Sequence, residues 1–341
     1  MSTILSTGGI VNVGFTCYAN AVIQAFRSCI KMEELFKEDN YNKNLKPDGK
    51  YNEFTKQFAN MIQTLSTIGS NSSMKPMGFW RTFHDAVKDS CFEHLQSRQP
   101  HDAHEFLMFL LDTLHESLSK RVNMNITKCE LISERQKSHQ KSLEAWKDNF
   151  EKHYSPFVDL FFGLFHIQII CSNCKNVSHK FETFNTIKGV FPEGNGKPTL
   201  LECLEGELND EAISDYECEK CKPKRMAAVR RTRVWKLPKN LIVVLKRFTY
   251  DGRKIHTPIQ SISNTVNLNS LYSNLSPHKK DSTFTLNSIV DHHGSANGGH
   301  YTAQSLHRST QKWFLYDDQS VHPIDIPISG ESTYIIFLEK S

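Results

Sequence analysis

The sequence has no long apolar run. Its longest, Phe106 to Leu111, falls far short of the roughly 20 residues a helix needs to cross a bilayer. The opening MSTILSTGGI has no cationic stretch leading into an apolar core, so no secretory leader is expected. The glycosylation-type triplets at Asn125 and Asn176 then read as incidental. The expectation is a soluble protein of the cytoplasm and/or nucleus, with no membrane partner. Charge of one sign is also scarce: a formal +4 over 341 residues makes no strong positive field, so no nucleic-acid partner is expected. The locally basic CKPKRMAAVRRTR (221–233) reads as a solvated strand and turn. Internal repeats and extended low-complexity tracts are missing, and the length suits one large multi-lobed domain or two domains.

A disulfide framework is missing as well. Nine cysteines are an odd number, and most have no paired spacing. Cys29, Cys91, Cys129 and Cys203 read as structural or surface thiols. Four others form two Cys-x2-Cys pairs, Cys171/Cys174 and Cys218/Cys221, which together supply the thiolates of a closed tetrahedral Zn²⁺ site. Their wide separation places the pairs at the tips of long hairpins. Flanks with strand-like content, FHIQII (165–170), VSHKFETF (177–184) and AAVRRTRVWKL (227–237), support that. A redox pair would need a βαβ context, and a RING-type ligase eight cross-braced ligands; neither is present.

The chemistry-bearing residues lie at the two ends of the chain. Cys17 follows a loop containing Gly14 and opens a run free of Gly and Pro that reads as a buried helix, Tyr18 to Cys29. A helix N-terminus favours a thiolate. The Asn12 amide, just upstream, could donate to a developing oxyanion together with the Cys17 backbone N–H. His300 follows two glycines in DHHGSANGGHYTA (291–303), and a thiol needs such a base to become a nucleophile. Asp317 ends the strand-like WFLYD about one hairpin beyond His300, where it could orient the ring. Asp318 could assist or substitute.

These segments resemble the ubiquitin-specific proteases, papain-like cysteine deubiquitinases of the ubiquitin carboxyl-terminal hydrolase family, in order and over nearly the whole chain. The Cys box surrounds Cys17. QPHDAHEFLMFLLDTLHE (99–116) is similar to the family's second box, FVDLFFGLF (157–165) to the entry into its fingers and LPKNLIVVLKRF (237–248) to its central strand. GSANGGHY (294–301) resembles the His box, WFLYDD (313–318) the acid box and STYIIFLEK (332–340) the closing strand. The resemblance implies an α+β papain-like fold in a single catalytic domain, 1–341: a helical thumb (1–160), zinc-bearing β fingers (161–235) and a β palm (236–341).

By the same resemblance Cys17 is the nucleophile, His300 the base, Asp317 the orienting acid and Asn12 the oxyanion donor. Asp102, Glu105, Gly298, Gly299 and Tyr301 are the candidate substrate-binding residues, and Asp102 is implied to hold the basic tail of ubiquitin. The glycines leave room for its narrow Gly-Gly end. The implied reaction is hydrolysis of the isopeptide bond after that glycine, with structural Zn²⁺ as the one cofactor. The implied partners are ubiquitin, ubiquitinated proteins and an activating or targeting protein. A protease for another ubiquitin-like modifier, or a weakly active ubiquitin-binding scaffold, are the alternatives. The chain departs from the family pattern at Phe15, where Asn is usual, and at Pro100, where Gln is usual.

Locally, Asp102 and Glu105 match an N-cap and its capping-box partner, followed by Phe106, Leu110, Leu114 and Leu118 at helical spacing. His101, His104 and His115 have no metal-site spacing and read as surface or cap residues. Leu143, Trp146 and Phe150 suggest an amphipathic helix packed on the thumb. The polar stretch 258–282 is expected to be mobile.

Overall fold

The computed structural model describes residues 6–69, 71–127, 132–194, 196–295 and 298–341; Cys129 lies outside them. The N-terminal half is helical. The helix Cys17–Arg27 is buried at every residue, because it is wedged between the helix Ala103–Leu118 and the strands Thr283–Ser295 and Gly298–His307. Its apolar residues cover most of its circumference, so it is stable only when enclosed. Its few polar side chains are paired inside: Gln24 Nε2 donates to the Gly8 carbonyl at 3.0 Å, and Arg27 Nη2 to that of Ser6 at 2.7 Å. Asn52–Leu65, Met77–Val87 and Pro156–Phe161 complete this layer around a core rich in phenylalanine.

The C-terminal half is an eight-stranded sheet. Seven strands run in the order Ser320–Ile324, Lys312–Asp317, Gly298–His307, Thr283–Ser295, Thr333–Lys340, Asn240–Leu245, Thr186–Gly189, and Thr265–Asn267 pairs alongside Thr283–Ser295. Asn240–Leu245 is buried throughout, as its unbroken apolar run requires of a central strand. A separate four-stranded antiparallel sheet is ordered Val177–Phe184, Gly163–Cys171, Met226–Lys236, Glu211–Tyr216.

Several expectations change here. The stretch 161–235 is not all fingers. Between the two finger hairpins the chain adds Thr186–Gly189 in parallel to Asn240–Leu245, and the helix Leu200–Glu207 packs into the palm's second core. Segment 258–282 is docked: Ile259, Leu268, Leu271 and Tyr272 are buried in that core. Its apolar residues are too sparse to show periodicity, yet each fills a place there. The helix Glu134–Phe150 packs mainly against the finger strand Val177–Phe184, while Phe150 at its end meets the thumb's His115, ring centres 6.5 Å apart. Leu143 faces outward, Ser138 and Ser142 face in, and Lys236 Nζ sits 4.1 Å from the Trp146 ring centre.

Candidate active site and cysteine cluster

The loop before Cys17 is folded by one side chain. Asn12 Oδ1 accepts from the Gly14 and Thr16 amides at 3.0 and 3.1 Å and from the Thr16 hydroxyl at 3.2 Å. The turn needs left-handed backbone at Gly14 (φ 115°) and at Phe15 (φ 57°), and it leaves the Phe15 ring 55% exposed. Thr16 is then the N-cap, its hydroxyl held by the loop and making no capping bond to the helix, and Cys17 is the first helical residue. Burial pushes the Cys17 thiol up and the charge of Asp318 adds to this, while backbone N–H groups of Tyr301, Tyr18 and Cys17 itself draw it back down.

His300 and Asp317 lie on adjacent antiparallel strands, Gly298–His307 and Lys312–Asp317. His300 Nε2 and Asp317 Oδ1 are 2.6 Å apart, both side chains partly open to solvent. That contact fixes the ring and leaves Nδ1 as the nitrogen for proton exchange. Asp318, in left-handed backbone, brings a carboxylate oxygen within 4.8 Å of the His300 and Asp317 donor atoms, but its hydrogen bonds go to other partners. Its carboxylate accepts from Asn12 Nδ2 at 2.9 Å and Asn20 Nδ2 at 2.7 Å, and its carbonyl accepts from the Ile10 amide at 2.9 Å. The two adjacent acids are thus divided: Asp317 holds the imidazole, and Asp318 ties the Cys17 loop and helix to the sheet.

Asp102, Gly298, Gly299 and Tyr301 line one cavity of about 300 Å³ between the halves. Asp102 is the N-cap of Ala103–Leu118, accepting from the His104 amide at 2.6 Å, and both its oxygens accept from the Tyr334 hydroxyl at 2.8 Å. Burial raises its carboxyl, and the Tyr334 bond opposes this. Glu105 does not complete a capping box; its carboxylate instead meets His94 Nε2 at 3.0 Å, away from the cavity lining. The glycines differ too. A Cβ on Gly298 would meet nothing within 4 Å, whereas one on Gly299 would strike the His293 carbonyl at 2.2 Å. Gly299 is therefore required by the hairpin itself.

The sequence reading missed His292 and Phe248, which also line this cavity with Pro100. His292 sits in the quoted His box, but adjacent histidines give no sign of which one faces inward. Its Nδ1 is buried with no partner, and burial lowers its pKa to about 4. Of the three histidines expected at the surface or as caps, His101 is buried with Nε2 on the Ser97 carbonyl, the His104 Nε2 is buried, and His115 is half-buried and meets the Ser155 hydroxyl at 2.7 Å.

The two Cys-x2-Cys turns meet because Gly163–Cys171 and Met226–Lys236 pair directly. All four Sγ atoms lie within 4.8 Å of one another, with Cys174 to Cys218 at 3.5 Å and Cys171 to Cys221 at 3.9 Å. A tetrahedral ion with bonds of about 2.3 Å needs sulfur separations of about 3.8 Å, so the set fits a metal. The backbone N–H of Cys174 leads in lowering the Cys171 thiol to about 7, which suits a ligand that binds as thiolate.

A helix opening on a cysteine, packed against a sheet that carries a His–Asp pair, is the α+β architecture of the papain-like cysteine proteases. Residues 8–338 match the ubiquitin carboxyl-terminal hydrolase family, and the chain belongs to it. It is 26% identical to ubiquitin carboxyl-terminal hydrolase 4 of Vanderwaltozyma polyspora, covering 98% of this chain and 41% of that protein. It is 27% identical to Usp2 of Drosophila melanogaster (98% and 35%) and 25% identical to human ubiquitin carboxyl-terminal hydrolase 2 (97% and 54%). The chain thus spans about half or less of the length of these relatives. Among solved structures, a chain of the SAGA Ubp8/Sgf11/Sus1/Sgf73 DUB module bound to ubiquitin aldehyde superimposes with a TM-score of 0.74 at 21% identity, covering 100% of this chain and 71% of that one. The same module bound to monoubiquitin gives 0.76 at 21% identity, covering 100% and 70%.

Proposed function

We propose that this chain is a deubiquitinase that hydrolyses the isopeptide bond after the C-terminal glycine of ubiquitin. The observation that carries the reading is the 2.6 Å His300–Asp317 contact on a hairpin packed against the helix that begins at Cys17. Burial keeps the Cys17 sulfur protonated at rest, so His300 must take its proton as Sγ attacks the glycine carbonyl carbon. One N–H of the Asn12 amide is committed to Asp318, and the other is free to donate to the oxyanion beside the Cys17 backbone N–H. His300 returns the proton to the leaving lysine amine, then activates the water that releases ubiquitin. Asp317 stabilises the imidazolium throughout. The cavity at Asp102, Gly298 and Tyr301 is the channel for the ubiquitin tail.

The four-cysteine cluster is assigned to Zn²⁺, which would cross-link the two finger turns and take no part in the reaction. Other partner proteins are proposed by analogy with the module named above, which holds Sgf11, Sus1 and Sgf73. The test is reaction with ubiquitin carrying a C-terminal electrophile, beside equivalent probes for other modifiers. A covalent adduct at Cys17 with ubiquitin is expected; labelling by another modifier alone overturns the substrate assignment.

A further inference from the structure

Two large apolar side chains stand open to solvent on segments that meet at the nucleophile loop. Phe15, just before Cys17, and Met77, at the start of the helix Met77–Val87, are 55% and 54% exposed. Gly9–Ile10 and Ser73–Met74 pair in parallel, and the Val11 amide donates to the Met74 carbonyl at 2.9 Å. Both chains therefore leave the pair at the same end, one towards Phe15 and the other towards Met77. Folding does not account for Phe15. Its backbone is left-handed, which strains a residue with a Cβ, and its exposed ring gains little from burial. A lone exposed apolar residue is ordinary. One held in a strained conformation, on a loop fixed by the Asn12 side chain, has the character of a functional position.

The reaction itself supplies what meets the ring. The cavity assigned to the ubiquitin tail is lined by Asp102, Phe248, His292, Gly299 and Tyr301, among others, and by no residue of 12–16 or of Met77–Val87. At the moment of attack the scissile carbonyl carbon lies at Cys17 Sγ, with the tail on one side and the lysine nitrogen on the other. The acceptor chain therefore points away from that cavity. Two residues of chain span at most about 7 Å, so the protein carrying the lysine is tethered within reach of Phe15 while the isopeptide bond is intact. Residues 11–18 carry no charge, so apolar contact is what this loop offers. We propose that Phe15, with Met77 beside it, is the acceptor-side specificity surface and takes a large apolar side chain next to the ubiquitinated lysine. This rests on the deubiquitinase activity proposed above and adds to it the chemistry of the leaving protein.

The test is cleavage, by the metal-loaded full chain, of two ubiquitin conjugates that differ only in the acceptor peptide, whose modified lysine is flanked by leucine in one and by serine in the other. The ratio of their kcat/KM values cancels whatever a variant does to the shared chemistry. In the unaltered chain it should favour leucine by roughly four- to tenfold, the effect of about half-burying such a side chain. Phe15→Asn, which tolerates left-handed backbone, should bring the ratio to within about twofold of one. Phe15→Tyr, which keeps the ring, should retain the preference, and Met77→Ser should about halve it. Should Phe15→Asn not fold, the last two variants decide. A ratio near one in the unaltered chain, or one that Phe15→Asn leaves unchanged, overturns the proposal. So does a dimer, by sedimentation, that dissociates on Phe15→Asn, since the ring then belongs to a second copy. If both conjugates are cleaved alike, this inference alone fails; if neither is cleaved, the deubiquitinase assignment falls with it.

Discussion

The cleft and the finger tip both rest on cysteine sulfur, but they are held in opposite ways. Cys17 sits on a helix buried along its whole length, and Asp318, Asn12 and Asn20 stitch that helix to the sheet. The four finger cysteines sit on two turns of a narrow sheet whose own apolar cluster is Leu164, Phe181 and Trp235. The cleft takes its rigidity from packing, so its geometry needs no ligand. The tip has little packing of its own, and its four sulfurs, all within 4.8 Å of one another, are suited to being held by an ion.

The comparison breaks first, and most sharply, at the nucleophile. Cys17→Ala should abolish hydrolysis of a fluorogenic ubiquitin substrate and leave ubiquitin binding by calorimetry intact; near-native turnover would remove Cys17 from its role. Next comes the division between the two acids. Asp317→Ala should lower kcat by ~10²- to 10⁴-fold, the range for comparable triad damage. Asp318→Ala loosens Asn12 without deleting it, so its cost should stay below the roughly 10²- to 10³-fold of a lost oxyanion donor. The reverse ranking would exchange the two roles.

At the tip, Cys174→Ser or Cys221→Ser should release the metal, about one Zn²⁺ per chain by elemental analysis, and weaken ubiquitin capture. The rate at which iodoacetamide alkylates Cys17 should barely change. An equal fall in both would mean that the regions are not independent.

A smaller effect separates packed from open parts by pH. Burial holds His115, His166 and His292 each near 4, below the ordinary imidazole value of about 6.5. His166 also bonds through its two nitrogens to the Ser273 hydroxyl at 2.8 Å and to His179 at 2.9 Å. Because the folded state binds fewer protons than the unfolded chain in that window, stability is full above about 6.5 and falls as pH drops towards about 4. The melting temperature followed across that range should decline; a flat profile would refute it. Smallest of all, Phe15→Gly should stabilise the chain by roughly 0.5–1 kcal/mol, by removing a side chain from left-handed backbone. A lower Tm would show that the exposed ring has contacts worth keeping.

Local chemistry was legible along the chain. The Gly- and Pro-free run after Cys17 announced its helix, the spacing of Phe106, Leu110, Leu114 and Leu118 announced another, and the Cys-x2-Cys pairs marked a metal-suited cluster, because each signal needs only residues a few positions apart. What Asp318 does was not legible, since its partners Asn12 and Asn20 lie some three hundred residues away and meet it only when helix and sheet dock. The same holds for Glu105, which is at the right spacing for a capping box but is drawn to His94, and for His292, whose inward orientation depends on the strand beside it. Segment 258–282 looked loose because its apolar residues follow no period, and only the core they fill gives them their order. Sequence determined which elements form and which groups carry the chemistry, since propensity and spacing act within a few residues. Tertiary structure alone decided which of two equivalent side chains meets which partner, because packing energy depends on residues that are distant along the chain.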